Sequence, residues 1–318
     1  MQRVVITGPT GAIGVALIEE LIAHGIEVFA VVRPNSSRKE NIPVHKLVQV
    51  VECDLNQLVK LPKFIEKSCD TFYHLGWDGT FGNSRNNMQG QLFNIQYTLD
   101  AVTAAKALGC KRFVGAGSQA EYGRTEENLN ADVPTFPENG YGIAKLCAGQ
   151  MSRIQCEQEG MEHIWTRILS IYGRYDGMNT MVMSVICTLL KGEKPSSTKG
   201  EQQWDYLYAK DAGYAMYLLG EHGITGKTYC IGSGKTKLLR EYIEIIRDKI
   251  DKNLPLGIGE ISYAKNQVMH LCADITELEK DTGFVPQYEF EEGIAETIEW
   301  VRNRDKNSSL MESNHEKN

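Results

Sequence analysis

Short apolar runs rich in β-branched residues alternate with longer segments of helical period through the first half of the chain. The short runs predict strands at 4–7, 28–32, 47–52, 71–75, 112–116 and 163–169, and the longer segments predict helices at 15–23, 87–108 and 141–157. Strands that alternate with helices form right-handed βαβ units. The order therefore predicts an α/β fold with a doubly wound parallel sheet covered by helices on both faces.

The regular alternation ends near residue 172, and the elements that follow are shorter and mixed. The pattern predicts a helix over 180–191, a polar loop over 192–203 and a helix over 294–301. From residue 305 onward the chain is almost wholly polar, which predicts a flexible tail over 304–318. The second half is thus predicted to form a smaller α/β region beside the sheet.

The composition excludes several classes of partner. With 34 basic and 41 acidic residues the net charge is −7, which argues against a nucleic acid or an anionic membrane and favours a small molecule. The eight cysteines form no CxxC pair, and no secretory segment or membrane-spanning run is present, so we expect a cytoplasmic protein with reduced thiols. The seven histidines are scattered, and no metal site is expected.

Three glycines directly after the first predicted strand, Gly8, Gly11 and Gly14, form a GxxGxxG variant of the dinucleotide fingerprint. Glycine allows a tight turn and a close approach to a pyrophosphate, and the following helix N-terminus presents free N–H groups. The expected cofactor contacts in this loop are Gly8, Thr10, Gly11, Ala12, Ile13 and Gly14. We therefore predict an NAD(P)-binding Rossmann domain over 1–172, into which later segments can be recruited, and a substrate-binding region over 173–303.

The end of the second predicted strand bears on the choice of cofactor. NAD-selective enzymes usually place a carboxylate there for the ribose 2′-hydroxyl, whereas this chain has Arg33. A guanidinium binds a 2′-phosphate bidentately, so NADP is favoured, with NAD as the alternative if Arg33 is only a solvated strand end. Asp54, after the third strand, is either a contact to the adenine amino group or a helix cap.

Three residues have the chemistry of proton transfer to or from a carbonyl oxygen. Tyr141 and Lys145 are four positions apart in a predicted helix and so share one face. The ammonium stabilises the phenolate of Tyr141, and Ser118, just beyond the fifth predicted strand, can hold the same substrate oxygen. Together they predict a Ser–Tyr–Lys catalytic set.

Taken together, these motifs resemble the extended short-chain dehydrogenases/reductases of the NAD-dependent epimerase/dehydratase family over about residues 1–303. The resemblance rests on the loop at 8–14, Asp54 and Leu55, His74 to Gly76, Asn94, Ser118 with Tyr122 and Gly123, Tyr141 and Lys145, Tyr172 and Gly173, and 205–208 with Asp211. It implies further cofactor contacts at Leu55, Leu75 and Gly76. It also implies a nucleotide-sugar substrate and a homodimer formed through the helices near 87–108 and 141–157.

Departures from the family pattern narrow the reaction. In 4,6-dehydratases of this family an Asp–Glu pair follows the Ser or Thr, but Gln119 and Ala120 stand there in this chain. Neither side chain can act as an acid or a base, so 4,6-dehydration is not expected. Ala120 also replaces the cysteine of the GDP-fucose synthase type. The reaction that remains compatible with the sequence is hydride transfer at one carbon, either as net reduction of a ketone or as epimerisation at C4.

Other departures concern the substrate. Trp204 replaces an arginine that many relatives use for the diphosphate, and Ile168 and Ser170 replace the family's Pro and Asn. The predicted substrate contacts are Trp77, Gln119, Ser170, Asn179 and Trp204, where Trp77 is either a wall of the nicotinamide pocket or a core residue. Arg174 and Lys191 are weaker candidates for contacts to the nucleotide, since charged residues are usually solvated.

The sequence favours an NADP-dependent reductase of a nucleotide-linked 4-keto or 4-keto-6-deoxy sugar in deoxysugar biosynthesis, with Tyr141 as the general acid. A nucleotide-sugar C4 epimerase with retained NAD is the main alternative, since both reactions use one triad. Two further alternatives are a reductase of a small non-nucleotide ketone and an NADP sensor without catalysis. Arg33 at the strand end and Trp204 in place of a phosphate-binding arginine also fit the small-ketone alternative.

Overall fold

The computed structural model describes the backbone of residues 1–315 and the side chains of residues 1–304. Its strands are β1 (Arg3–Thr7), β2 (Glu27–Val32), β3 (Val48–Glu52), β4 (Thr71–His74), β5 (Arg112–Ser118), β6 (Glu162–Ile168), β7 (Ser170–Tyr172), β8 (Ser196–Ser197), β9 (Gln203–Trp204), β10 (Tyr206–Tyr208), β11 (Thr228–Ile231), β12 (Lys237–Leu238), β13 (Gly257–Ile258) and β14 (His270–Leu271). Its α-helices are α1 (Ala12–Ala23), α2 (Met88–Ala107), α3 (Gly140–Gln158), α4 (Met181–Leu190), α5 (Ala209–His222), α6 (Leu239–Ile250), α7 (Thr276–Thr282) and α8 (Phe290–His315).

A seven-stranded parallel sheet with the order β11-β6-β5-β4-β1-β2-β3 forms the centre of the molecule. The chain winds outward in one direction from β1 to β3, then returns beside β1 with β4 and winds the other way. This confirms the predicted doubly wound α/β fold. In such sheets ligands bind at the carboxyl ends of the strands, where the winding reverses.

The sheet is buried on both faces, which explains why its strands are continuous apolar runs. Val4, Val5 and Ile6 of β1 are all fully buried, with successive side chains packing into different cores. On one face α1 packs closely on α5. The glycine at position 213 allows this approach, since a Cβ there would lie 2.6 Å from the Ala16 backbone. On the other face α2 packs on α3.

One edge of the seven-stranded sheet is formed by β11. This strand, residues 228–231, lies within the segment assigned from sequence to the substrate-binding region. The rest of that region forms short ladders and helices around an aromatic cluster that includes Tyr172, Tyr242 and Phe290. The division of the chain into domains stays a prediction.

Several element ends differ from the prediction. Helix α1 begins at Ala12, not at residue 15, because its first turn is part of the glycine loop and carries little of the apolar repeat. Strand β5 continues to Ser118, since pairing of Ser118 with Ile168 extends the ladder past the glycines that interrupt the apolar pattern. Helix α8 extends from Phe290 to His315, past both ends of the helix predicted over 294–301. The flexibility of the tail over 304–318 stays a prediction, and residues 316–318 lie outside the described residues.

Candidate active site

The glycine loop joins β1 to α1 at the point where the winding of the sheet reverses. Gly8 has φ +70°, and a Cβ there would lie 2.7 Å from the Leu75 backbone. A Cβ on Gly14 would lie 2.4 Å from the Gly8 carbonyl oxygen. Both positions therefore require glycine, since no side chain fits between these backbone segments.

The first turn of α1 is suited to an anion. Gly11 is the N-cap residue, has no side chain to cap the helix, and faces open space. The first turn carries no acidic side chain, so the N–H groups of Ala12 and Ile13 and the positive end of the helix dipole are available to a ligand. This cradle fits the pyrophosphate of a dinucleotide.

A cleft of about 390 Å³ lies beside the loop. Predicted cofactor and substrate residues line it together, namely Gly8, Thr10, Arg33, Asp54, Leu55, Gly76 and Trp77. The Asp54 carboxylate also accepts the Asn56 N–H at 3.2 Å and caps the 3₁₀ helix Leu55–Lys63, while its contact to the adenine amino group stays a prediction. The structure thus joins residues from four separate loops in one cleft.

Two guanidinium groups line this cleft. Arg33 is exposed at its rim, and Arg38, to which the sequence assigned no role, lies beside it. Arg38 donates hydrogen bonds to the carbonyl oxygens of Thr10, at 3.1 Å, and Tyr175, at 2.8 Å. It therefore ties the glycine loop to the segment after β7 while it adds positive charge beside the cleft.

Ser118 and Tyr141 approach each other because α3 packs closely against the turn after β5. Helix α3 is capped by the Asn139 side chain, which accepts the Gly142 N–H at 2.9 Å. A Cβ on Gly142 would lie 2.2 Å from the Ala120 carbonyl oxygen, so only glycine allows this approach. Burial raises the pKa of Tyr141, whereas its hydrogen-bonding interaction with the Ser118 hydroxyl acts to lower it.

Lys145 lies one helical turn further along α3 and is almost fully buried. Its ammonium donates a hydrogen bond to the Ala116 carbonyl and lies 3.8 Å from the ring centre of Trp77. Burial lowers the pKa of Lys145 to about 7. The Trp77 ring also meets Tyr141 edge-on, with centroids 6.1 Å apart. Trp77 thus lines the cleft and packs on both Lys145 and Tyr141, and its role as a wall of the nicotinamide pocket stays a prediction.

Arg85 is a site residue that the sequence did not reveal. It lies in the 3₁₀ helix Gly82–Asn86, and its guanidinium carbon is 4.7 Å from the Tyr141 ring centre. The Asn86 side chain accepts the Gly140 N–H at 2.9 Å and fixes this turn to the start of α3. No local motif marks Arg85, because the two residues meet only after the sheet has formed.

The predicted substrate residues are brought together in part. Gln119 lies in the turn that follows Ser118, and the Ser170 hydroxyl accepts the indole N–H of Trp204 at 2.9 Å. Asn179 is exposed on the loop before α4. Of the weaker candidates, Arg174 pairs with Glu19 at 2.8 Å and Lys191 is exposed. The roles of all these residues in binding substrate remain predictions.

Within residues 1–304 no three His, Cys, Asp or Glu side chains are grouped so that they could hold a metal ion. All eight cysteines are free thiols. Along the described part of the chain, no helix has both the length and the apolar character that a membrane span requires.

Comparison with known proteins gives a family match. The model of the NAD dependent epimerase/dehydratase family matches residues 4–232. Among curated proteins, dTDP-glucose 4,6-dehydratase of Neisseria meningitidis is 23% identical over 335 residues, covering 94% of this chain and 93% of the relative. The Shigella flexneri enzyme of the same name is 29% identical over 189 residues, covering 55% of this chain and 52% of its own.

Solved structures share the fold over almost the whole chain. A UDP-N-acetylglucosamine 4-epimerase from Methanobrevibacter ruminantium has a TM-score of 0.86 at 24% identity and covers 95% of this chain and 99% of its own. A dTDP-glucose 4,6-dehydratase from Streptomyces venezuelae, solved with NAD, has a TM-score of 0.83 at 20% identity and covers 95% and 97%.

Proposed function

Because the chain belongs to the NAD-dependent epimerase/dehydratase family, we propose that it is an NADP-dependent reductase of a nucleotide-linked 4-keto sugar. The family is an enzyme family that acts on nucleotide sugars with a nicotinamide cofactor. What the proposal adds is the direction of the reaction, the cofactor type and the residues that carry out the chemistry.

The residues around the cleft have complementary tasks. When bound, the nicotinamide cofactor supplies a hydride to a carbonyl carbon. Ser118 holds the carbonyl oxygen, and Tyr141 donates the proton that converts the resulting alkoxide to a hydroxyl. Lys145 orients the cofactor ribose and stabilises the phenolate that Tyr141 leaves behind. Trp77, packed on both Tyr141 and Lys145, excludes water from one side of the pair.

The charge around the cleft supports NADP. Arg33 and Arg38 both line the end of the cleft beyond β2, and the strand end carries no carboxylate for a 2′-hydroxyl. A ribose 2′-phosphate there would meet two guanidinium groups, which form strong charge-assisted hydrogen bonds with phosphate oxygens.

The residues after Ser118 support reduction over dehydration. Gln119 and Ala120 occupy the turn in which the 4,6-dehydratases resembled by this sequence carry an acid pair. Neither side chain can abstract or donate the protons that an elimination needs. The 23% identical dehydratase of Neisseria meningitidis therefore shares the fold with this chain, but we propose a different reaction.

The observation that carries the proposal is that Tyr141, which interacts with Ser118, and Lys145 both pack on Trp77, a residue that lines the same cleft as Arg33. The test is incubation of the protein with deuterated NADPH and a panel of nucleotide-linked 4-keto-6-deoxy sugars, followed by mass spectrometry. We expect a reduced sugar one mass unit heavier than the unlabelled product, and no such product with Tyr141→Phe. No deuterium transfer to any sugar, or full transfer by Tyr141→Phe, would contradict the proposal.

A C4 epimerase is the second candidate. It is favoured by the solved structure of a UDP-N-acetylglucosamine 4-epimerase, which has a TM-score of 0.86 and covers 95% of the chain. The same triad would serve both reactions. An indole, hydrogen-bonded to Ser170, stands where many relatives place an arginine for the diphosphate, and this departure applies equally to both candidates.

We also propose a homodimer formed through α2 and α3. These neighbouring helices expose large apolar side chains to solvent, namely Met88, Leu92, Phe93, Ile143, Met151 and Ile154. Exposed apolar groups of this extent on adjacent helices are typical of a protein interface.

The free, mostly buried cysteines fit a reducing, cytoplasmic setting.

A further inference from the structure

The carboxylate of Glu121 is buried next to Ser118, one of the proposed catalytic residues. The Glu121 side chain is fully buried and accepts three hydrogen bonds: from the Ser118 N–H at 2.9 Å, the Trp165 indole N–H at 3.1 Å and the Arg167 guanidinium at 2.8 Å. Every one of these groups is a donor. A protonated carboxyl would present its own O–H to them, so the surroundings match the ionised, acceptor-only form.

Three glycines make room for this group. A Cβ on Gly117 would lie 2.4 Å from the Glu121 carboxylate and 2.3 Å from the Trp165 indole nitrogen. Cβ atoms on Gly115 and Gly149 would lie 2.4 and 2.6 Å from the same indole ring. At these positions of β5 and α3, any side chain larger than that of glycine would overlap Trp165 or Glu121. The glycines therefore leave the space that the Trp165–Glu121 pair occupies.

The carboxylate acts on two catalytic residues at once. Glu121 and Ser118 form a reciprocal capping box, in which the Ser118 hydroxyl accepts the Ala120 N–H at 3.2 Å while Glu121 accepts the Ser118 N–H. Two residues before Ser118, the Ala116 carbonyl accepts the Lys145 ammonium. The negative charge of Glu121 also acts to raise the pKa of Lys145, against the lowering effect of burial.

We propose that Glu121 is a positioning residue, which holds Ser118 and the end of β5 in place, where the Ala116 carbonyl accepts Lys145, and which puts a buried negative charge next to the proposed catalytic residues. Arg167 pairs with this carboxylate at 2.8 Å, and its guanidinium carbon lies 4.5 Å from the ring centre of Tyr122. The inference rests on the proposed function of Ser118, Tyr141 and Lys145, but the charge of Lys145 can be measured without substrate.

The experiment compares Glu121→Gln with the wild-type protein. The Lys145 ammonium is titrated by NMR in protein labelled with ¹³C,¹⁵N-lysine, and its signal is assigned with Lys145→Arg. Glu162→Gln, which removes an exposed carboxylate paired with Arg112, is the matched control. Because Glu121→Gln leaves Arg167 as an unpaired buried charge and so destabilises the fold, a Glu121→Gln/Arg167→Gln double variant is measured in parallel.

We expect the Lys145 midpoint to fall by about one pH unit in Glu121→Gln, to fall by less in the double variant, which also lacks the opposite charge of Arg167, and to stay unchanged in the control. With an active substrate, kcat should fall about tenfold or more while KM changes little, since Ser118 loses its fixed position. An unchanged midpoint in a folded variant would overturn the proposal, as would an unchanged kcat. If the wild-type protein reduces no sugar in the panel, the proposed function fails, whereas the titration still decides the role of the Glu121 charge.

Discussion

The guanidinium carbon of Arg85 lies 4.7 Å from the ring centre of Tyr141 and acts to lower the pKa of the phenol. Arg85→Gln should therefore raise the pKa of Tyr141, because the phenolate loses a stabilising cation. Tyr141 must be protonated to act as a general acid. The fall of kcat/KM at high pH should then move to higher pH, by roughly half a unit to one unit.

The check is the pH profile of the reductive reaction for the wild-type protein, Arg85→Gln and Arg85→Lys. Arg85→Lys retains the charge, so its high-pH limb should lie between those of the other two. A high-pH limb that stays in place in Arg85→Gln would show that the cation does not tune Tyr141.

Cofactor preference should depend on Arg33. Its replacement in Arg33→Ala removes one charged hydrogen-bonding group, worth about 1.5–3 kcal/mol, from the proposed 2′-phosphate site. The ratio of kcat/KM for NADPH over NADH should fall by about 10- to 150-fold, mainly through loss with NADPH. Lys39→Ala is the control, since Lys39 lies on the same loop but pairs with Glu52 at 2.8 Å. Equal ratios in Arg33→Ala and Lys39→Ala would count against the assignment.

Two glycines of one loop should respond differently to the same added methyl group. Gly14→Ala should lower the free energy of unfolding by about 3 kcal/mol, because its Cβ would lie 2.4 Å from a backbone oxygen. Gly11 faces open space at φ −87°, so Gly11→Ala should change the free energy of unfolding by less than about 1 kcal/mol.

Gly11→Ala should nevertheless weaken cofactor binding, since the methyl group would enter the space of the pyrophosphate. Urea unfolding and calorimetric titration with NADPH measure the two effects separately. Unchanged cofactor affinity in Gly11→Ala would place the pyrophosphate elsewhere.

The exposed apolar faces of α2 and α3 lead to a prediction about assembly. The wild-type protein should sediment at twice the chain mass of 35.6 kDa, and Leu92→Asp combined with Ile154→Asp should sediment as a monomer. Val44→Asp, at a fully exposed loop position, should leave the dimer intact. A monomeric wild-type protein at micromolar concentration would refute the proposed interface.

The parts of this molecule that are local in sequence could be predicted from the sequence. The glycine loop follows its strand directly, and Tyr141 and Lys145 share a helix face four positions apart, so spacing alone relates them. The alternation of strands and helices likewise predicted the parallel sheet. The end of β5 was predicted two residues too early, because Gly117 is not typical of a strand until Trp165 is seen to fill the space beside it.

The rest of the site depends on contacts between distant residues. Arg85 meets Tyr141 across 56 positions and Glu121 meets Arg167 across 46, so no local pattern relates either pair. The sequence identifies Trp204 as a departure from the family pattern. Its hydrogen bond to Ser170, however, depends on the pairing of β7 with β10. Such pairs are set by sheet order and packing, which a single sequence does not specify.

Net reduction of a sugar by NADPH can be followed as a loss of absorbance at 340 nm. Purified protein is mixed with NADPH or NADH and freshly prepared nucleotide-linked 4-keto-6-deoxy sugars, with Tyr141→Phe as the control. We expect stoichiometric loss of NADPH, a slower loss of NADH, and no loss of either with Tyr141→Phe. Interconversion of UDP- or dTDP-sugars without net consumption of the cofactor would contradict net reduction and identify an epimerase.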